Sequence, residues 1–405
     1  VNALSKEIYN LIEDHDTLNI ETVAKLIGCT KQELSRFLNN KGGLSFRKLL
    51  RLSYVLFPDN QEEIMANWCL RINTTESIKQ SFEYASITRN KKVLKQLIDL
   101  YANDKTVSKY VAVYSILYDF YTDEIGAKDI VSRLNKVGQL AGELAILSDI
   151  IKCYNYYYFE KYHLILETAK EAEKLVYQFN DRHLFIKESY LHRIAELLGH
   201  VSVHFNDVES ARYYASLIIN ANICAKTVSG AFDIVGMSYL SEDGNECIEN
   251  LRIRYEIAKT LGEPSIEKMA RRNLDYAKLY LNFKLDADSD PILLRLQNNK
   301  GSEFELKLLK EAIFQQGEDD FLVLLRACAR NSLEKMHECR RYFFKQSNYL
   351  FASIAAREAK KLGETSALVD DFIKIKIEIK GDVKFEENFI RCFNRSSHHR
   401  CSISA

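Results

Sequence analysis

The chain has 405 residues, more than one compact core usually spans, and its 56 Lys plus Arg are balanced by 56 Asp plus Glu. No net field draws the whole molecule onto nucleic acid or an anionic membrane, so any grip on a polyanion has to come from a local patch. Nine cysteines scattered singly, without metal spacing, suit buried reduced thiols better than a disulfide framework, and three prolines with 15 glycines suit an all-α chain.

The N-terminal segment is the most informative. Ile20, Val23, Ala24 and Ile27 follow the i, i+3, i+4, i+7 period of one buried helix face, and small Ala24 allows a second helix to approach. Gly28 is suited to the left-handed conformation just past a helix end. Thr30 then caps the next helix, with Glu33 completing a Thr-x-x-Glu capping box. In that second helix Leu34, Phe37 and Leu38 face the core. Lys31, Gln32, Ser35, Arg36 and Asn39 are left outward, which is the arrangement of a helix-turn-helix that reads the DNA major groove. Between Leu34 and Phe57 stand Arg36, Lys41, Arg47, Lys48 and Arg51 with no acid, a local basic face. The predicted DNA contacts are Thr30, Lys31, Gln32, Ser35, Arg36, Asn39, Asn40, Lys41 and Arg47. Asn40 to Gly43 forms the following turn, and Ser45 caps a fourth helix with Phe46, Leu49 and Leu50 on its apolar face.

Pro58 ends that helix, which sets a domain boundary at Phe57, with residues 1–57 as the DNA-binding head. From 58 to 372, helix follows helix across short polar breaks such as Asn73 to Thr75, Asn206-Asp207 and Gly262 to Pro264, so neighbours pack as antiparallel pairs. Phe232, Val235, Gly236 and Tyr239, followed by Tyr255, Ala258 and Pro264, form a worn tetratricopeptide signature. Gly199 and Ala211 mark a fainter one. The predicted fold is all-α, with the helix-turn-helix followed by a right-handed superhelix of degenerate tetratricopeptide-like pairs around a concave wall. The aromatics of Tyr154 to Phe159 are too dense for one helix face, so some must meet a neighbouring pair or a second protomer.

Residues 373–405 break the pattern. Ile373, Ile375, Ile377 and Ile379 alternate with charged residues ahead of Gly381-Asp382, Val383 and Phe385. This period fits a small hairpin, a misread helix or a dimerisation edge, and the tail from Asn394 is expected to be disordered. The sequence holds no phosphate-cradling glycine loop, no Gly-x-Ser-x-Gly elbow and no His-Glu-x-x-His, so it is not read as an enzyme, and no cofactor is expected. Glu196, His200 and His204 share a helix face at i, i+4, i+8. The distal third ligand and the missing fourth favour a ligand-lining stripe over zinc. No apolar stretch is long enough to span a bilayer, and Glu13-Asp14-His15-Asp16 interrupts any secretion signal. A cytoplasmic protein without a membrane partner is expected.

A helix-turn-helix ahead of such a superhelix resembles the RRNPP peptide-sensing regulators, and within them the arbitrium peptide receptor (AimR) family of phage lysis-lysogeny regulators. The resemblance rests on Ser35 to Asn39, Tyr190 to Arg193, Gly236, Tyr342 to Asn348, and Lys361 to Glu364 in that order. It implies a homodimer on operator DNA, switched by a short secreted hexapeptide inside the superhelix. It places His200 and His204 at family positions that clasp the peptide backbone, and Lys226 where the family presents an arginine. Asp275 falls near a further polar wall position, Tyr349 and Phe351 match an acid and an aromatic, and Asn348 joins this set. The acid lost at Tyr349 calls for a substitute such as Asp233 or Glu196, or for a different peptide. The alternatives are a peptide-sensing regulator outside phages and a Rap-type scaffold that binds a protein instead of DNA.

Overall fold

The computed structural model describes residues 3–15, 17–180 and 183–379, and among these every regular element is helical. The head comprises α1 (Ala3–Glu13), α2 (Ile20–Ile27), α3 (Lys31–Leu38) and α4 (Phe46–Leu56). Asn19 caps α2 by accepting from the amides of Glu21 and Thr22, and Gly28 ends it at φ +74°. The Thr30 hydroxyl accepts from the Glu33 amide at 3.1 Å, which fixes the start of α3. Only this half of the expected capping box forms, because the Glu33 carboxylate is taken by Lys48 Nζ at 2.6 and 2.7 Å.

Beyond the head run α5 (Gln61–Cys69), α6 (Thr75–Ile87), α7 (Lys91–Leu100), α8 (Ser108–Tyr121) and α9 (Ile130–Val137). The central repeats are α10 (Glu143–Tyr158), α11 (Tyr162–Tyr177), α12 (Leu184–His204), α13 (Val208–Ala221), α14 (Ala225–Ser238), α15 (Gly244–Thr260) and α16 (Pro264–Leu281). They are followed by α17 (Pro291–Asn298), α18 (Glu305–Gln316), α19 (Asp320–Ala329), α20 (Leu333–Lys345), α21 (Tyr349–Lys361) and α22 (Ala367–Ile373). From α10 to α16 each helix packs chiefly on its chain neighbours, as stacked helical pairs require. Several turns rest on asparagines that tolerate the left-handed region, at Asn206 (φ 57°), Asn222 (φ 46°), Asn282 (φ 63°) and Asn331 (φ 46°).

The apolar interior does not break at residue 57. One core runs from Leu4 to Ile234, and a second from Met237 to Val369. The head is seated on the first: the Phe46 ring on α4 lies 4.7 Å from Phe185 on α12 and 6.0 Å from Tyr84 on α6. The alternating isoleucines also differ from the hairpin expectation. Ile373 closes α22, and residues 375–379 run without regular structure, bonded to the α12–α13 turn, with no partner strand among the described residues. Gly381, Asp382, Val383, Phe385 and the tail with His398, His399 and Cys401 lie outside the described residues.

Candidate functional site

Two sites emerge, one on the head and one inside the stack. On the head, Thr30, Lys31, Gln32, Arg36, Asn39, Asn40 and Lys41 are exposed on and around α3, with Ser35 half-buried. Lys31 stands 3.6 Å from Glu21, and the Asn39 amide folds back to the Ser35 carbonyl at 2.8 Å. The basic face is narrower than the sequence suggests. Lys48 is held by Glu33, and Arg51 Nη1 donates to the Ile27 carbonyl at 3.3 Å. Arg47 is turned inward, 3.3 Å from the buried Glu188 carboxylate on α12, so it holds the head on the stack instead of facing outward. Sequence alone cannot see this, because its partner lies in another helix pair.

Inside the stack, a partly open hollow of about 630 Å³ is lined by α8, α10, α12, α14, α15, α16, α19 and α21. His200, His204, Lys226, Asp233, Asn348 and Phe351 line it together, along with Glu196. Asp275 and Tyr349 do not. Asp275 is buried against Arg271 at 3.1 Å and Ser289 at 3.0 Å, a structural knot, and Tyr349 stacks on Phe205 at 5.8 Å. Part of the Tyr154 to Phe159 cluster also faces the hollow, through Tyr154, Tyr157 and Tyr158.

His200 and His204 stand one turn apart on α12. Tyr162 stacks on the His204 ring at 4.0 Å, and the Tyr157 hydroxyl lies 3.5 Å from His204 Nε2. Burial, and then the neighbouring His200, pushes His204 down to about 3, while burial also lowers His200. Both rings are therefore neutral near pH 7, each with one donor and one acceptor nitrogen, which suits them to peptide N–H and C=O groups.

The charged groups are mostly engaged. Lys226 Nζ lies 3.0 Å from Glu263, which also holds Lys91 at 3.3 Å, and Asp233 pairs with Arg254. Arg89 faces Glu196 at 3.6 Å, and Arg272 faces Asp319 at 3.5 Å. Asp320 differs. Its carboxyl accepts from the Asn348 amide at 2.7 Å and has no ion-pair partner among the described residues. Burial, then the charges of Asp319 and Glu160, push it up to about 7. Asp320 was missed in the sequence because it stands at the start of α19, where an acid reads as an ordinary helix-start residue. Arg254, Met269 and Asp319 also line the hollow without any sequence signal. Apolar Leu197, Ile234, Met237, Met269, Phe321 and Leu350 complete the wall, so the hollow combines greasy surface with a few polar groups.

A larger groove of about 860 Å³ lies beside the α14–α15 turn. Its charges are largely satisfied within it, Lys361 by Glu358 and Glu305 by the Gly301 amide. Among the described residues no group of acids, histidines and cysteines is placed to hold a metal ion, and no helix is long and apolar enough to cross a membrane.

Residues 61–361 match the family model described as AimR transcriptional regulator-like. The chain is 26% identical over 236 residues to the AimR transcriptional regulator of Bacillus phage phi3T, covering 55% of this chain and 60% of that protein. It is 22% identical over 254 residues to the AimR transcriptional regulator of Bacillus phage SPbeta, covering 61% and 64%. The aligned region thus spans under two thirds of these relatives. The fold is similar to a solved structure of selenomethionine phAimR, with a TM-score of 0.64 at 21% identity over 91% of this chain and 99% of that one. It is also similar to phAimR with its ligand, at 0.60 and 20% identity over 78% and 96%.

Proposed function

The chain belongs to the AimR transcriptional regulator-like family, and on that premise we propose that it is a peptide-responsive transcriptional regulator of phage lysis and lysogeny. In this reading a homodimer places two α3 helices in successive major grooves of operator DNA, and a short peptide in the superhelical cavity sets its occupancy. The reading works without enzymatic chemistry. The matched family segment begins after the head, so the DNA-binding part rests on the exposed face of α3 in this chain.

The observation that carries the peptide reading is the juxtaposition, in one partly apolar hollow, of two neutral imidazoles one turn apart and an acid that has no cation among the described residues. The imidazoles meet peptide groups along a backbone. Asp320 takes the place of the acid lost at Tyr349 and receives a cationic side chain of the peptide. Lys226, already shared with Glu263, offers a point charge to the peptide main chain or carboxylate. A near-complete switch requires the peptide to favour one receptor state by about 5.5 kcal/mol.

Calorimetric titration with short peptides encoded immediately downstream of the gene tests this reading. Binding is expected for a peptide with a basic residue, strengthening as pH rises through about 7, where Asp320 ionises. Absence of heat from every such peptide, with the protein folded, would refute the receptor function. A gel shift on upstream DNA separates the regulator from a protein-binding scaffold, which would form no specific, salt-sensitive complex.

A further inference from the structure

The helices form two bodies of packing, with the core changing hands between Ile234 and Met237 inside α14. The cavity sits on the seam between them. His200 and His204 belong to the first body, whereas Phe321, Leu350 and Phe351 come from the second. The seam is also bridged by the Lys91–Glu263 ion pair and by the Tyr349 ring on Phe205.

After α22 the chain leaves the second body and returns to the first. Ile379 is only 3% exposed and is part of the first core, with Ile377 packed against it. Four hydrogen bonds fasten this segment to the α12–α13 turn and the start of α13. Asn206 Nδ2 donates to the Ile375 carbonyl at 2.8 Å, and the Ile377 amide donates to the Phe205 carbonyl at 3.0 Å. The Ile379 amide donates to Asp207 Oδ2 at 2.7 Å, and Ser210 Oγ donates to the Ile379 carbonyl at 3.0 Å. The turn so gripped begins one residue after His204, at the cavity wall.

We propose that residues 374–379 are a latch that holds the second body closed on the first. Its release lets the seam widen around the partly open hollow and eases ligand entry, and its re-engagement narrows the hollow on the ligand. Among the described residues the segment makes no sheet ladder and no helix that would compete for those backbone groups. A short strap held by a few bonds and two side chains is the kind of unit that opens below the global unfolding limit. The latch rests on the cavity being the ligand site, but not on which ligand it takes.

The test therefore uses the full chain without ligand. Hydrogen exchange follows the Ile377 and Ile379 amides, and diethyl pyrocarbonate, which attacks neutral imidazoles, reports access to His200 and His204. In the wild type, exchange at the strap amides and modification of the half-buried His200 and His204 should accelerate together, with one shared dependence on low urea. In a variant carrying Asn206→Gly, Ser210→Ala and Ile379→Ala, modification of both histidines should run several-fold faster. The rate at exposed His15 should stay unchanged. Strap amides that exchange faster with urea while the modification rates of His200 and His204 stay unchanged would overturn the latch, and the wild-type measurement is decisive even if the variant does not fold.

Discussion

Arg193 and Glu83 stand 110 positions apart in the chain, yet the guanidinium Nε donates to the carboxylate at 2.9 Å with both side chains sealed from solvent. Around them Arg193 also donates to Ser86 at 2.9 Å and to Tyr121 at 3.3 Å, and Tyr114 donates to Glu83 at 2.7 Å. The network pins α12, which carries the cavity histidines, to α6 and α8.

Removing one partner strands the other charge in the interior. Glu83→Ala or Arg193→Ala should each cost about 3–5 kcal/mol in urea unfolding, with the double variant costing clearly less than the sum. Strict additivity would show that the pair does not act as a unit.

Close helix approach in the tetratricopeptide-like pair depends on Gly236. A Cβ there would stand 2.8 Å from Leu251 Cγ and 3.2 Å from the Cys247 carbonyl oxygen, and backbone cannot give way as a flexible side chain can. Gly236→Ala is expected to destabilise by about 1–3 kcal/mol through overpacking. Gly262→Ala differs, because its cost would come from φ +65° rather than from crowding. An unchanged unfolding midpoint for Gly236→Ala would show that α14 and α15 are not tightly apposed.

Acid should unfold the protein through its buried imidazoles. Burial holds His192 down to about 4 and His204 down to about 3, against 6.5 for a free ring. The unfolded chain then binds more protons between those values, so this stability is fully present above about 6.5 and is lost as pH falls toward 4 and 3. Asp320 works in the opposite sense. Its proton is retained in the fold up to about 7 against 3.8 when free, so its contribution declines as pH rises across that interval. Unfolding midpoints measured from pH 4 to 8 should show His192→Gln flattening the acid limb and Asp320→Asn flattening the neutral one. Parallel curves for wild type and both variants would contradict these assignments.

Two arginines of the head should behave differently. Arg36 is exposed on α3, so on the proposed function Arg36→Ala should lower specific operator affinity by about 1–3 kcal/mol and non-specific affinity far less. Arg47 faces Glu188, so Arg47→Ala should act first on thermal stability and on how firmly the head is seated. Equal losses of Arg36→Ala on specific and random duplexes, seen by gel shift, would remove Arg36 from base recognition.

What was legible in the sequence was local. The helix period of the head, the Thr30 cap, the Gly28 stop and the break at Asn206 each depend on residues within about one turn, and the structure holds all of them. Of the residues named on the resemblance, His200, His204, Lys226, Asp233, Asn348 and Phe351 line the hollow, a minority of its wall, and Asp275 and Tyr349 do not. Only the tertiary structure decided which charges are spent. Arg47 meets Glu188, Asp275 is tied to Arg271 and Ser289, and Asp320 has no cation among the described residues although an acid at a helix start looks routine. It also turned the alternating isoleucines from a strand period into a strap. The physical reason is that burial and ion pairing depend on segments brought together by packing, and no one-dimensional pattern records which partner fills a side chain's surroundings.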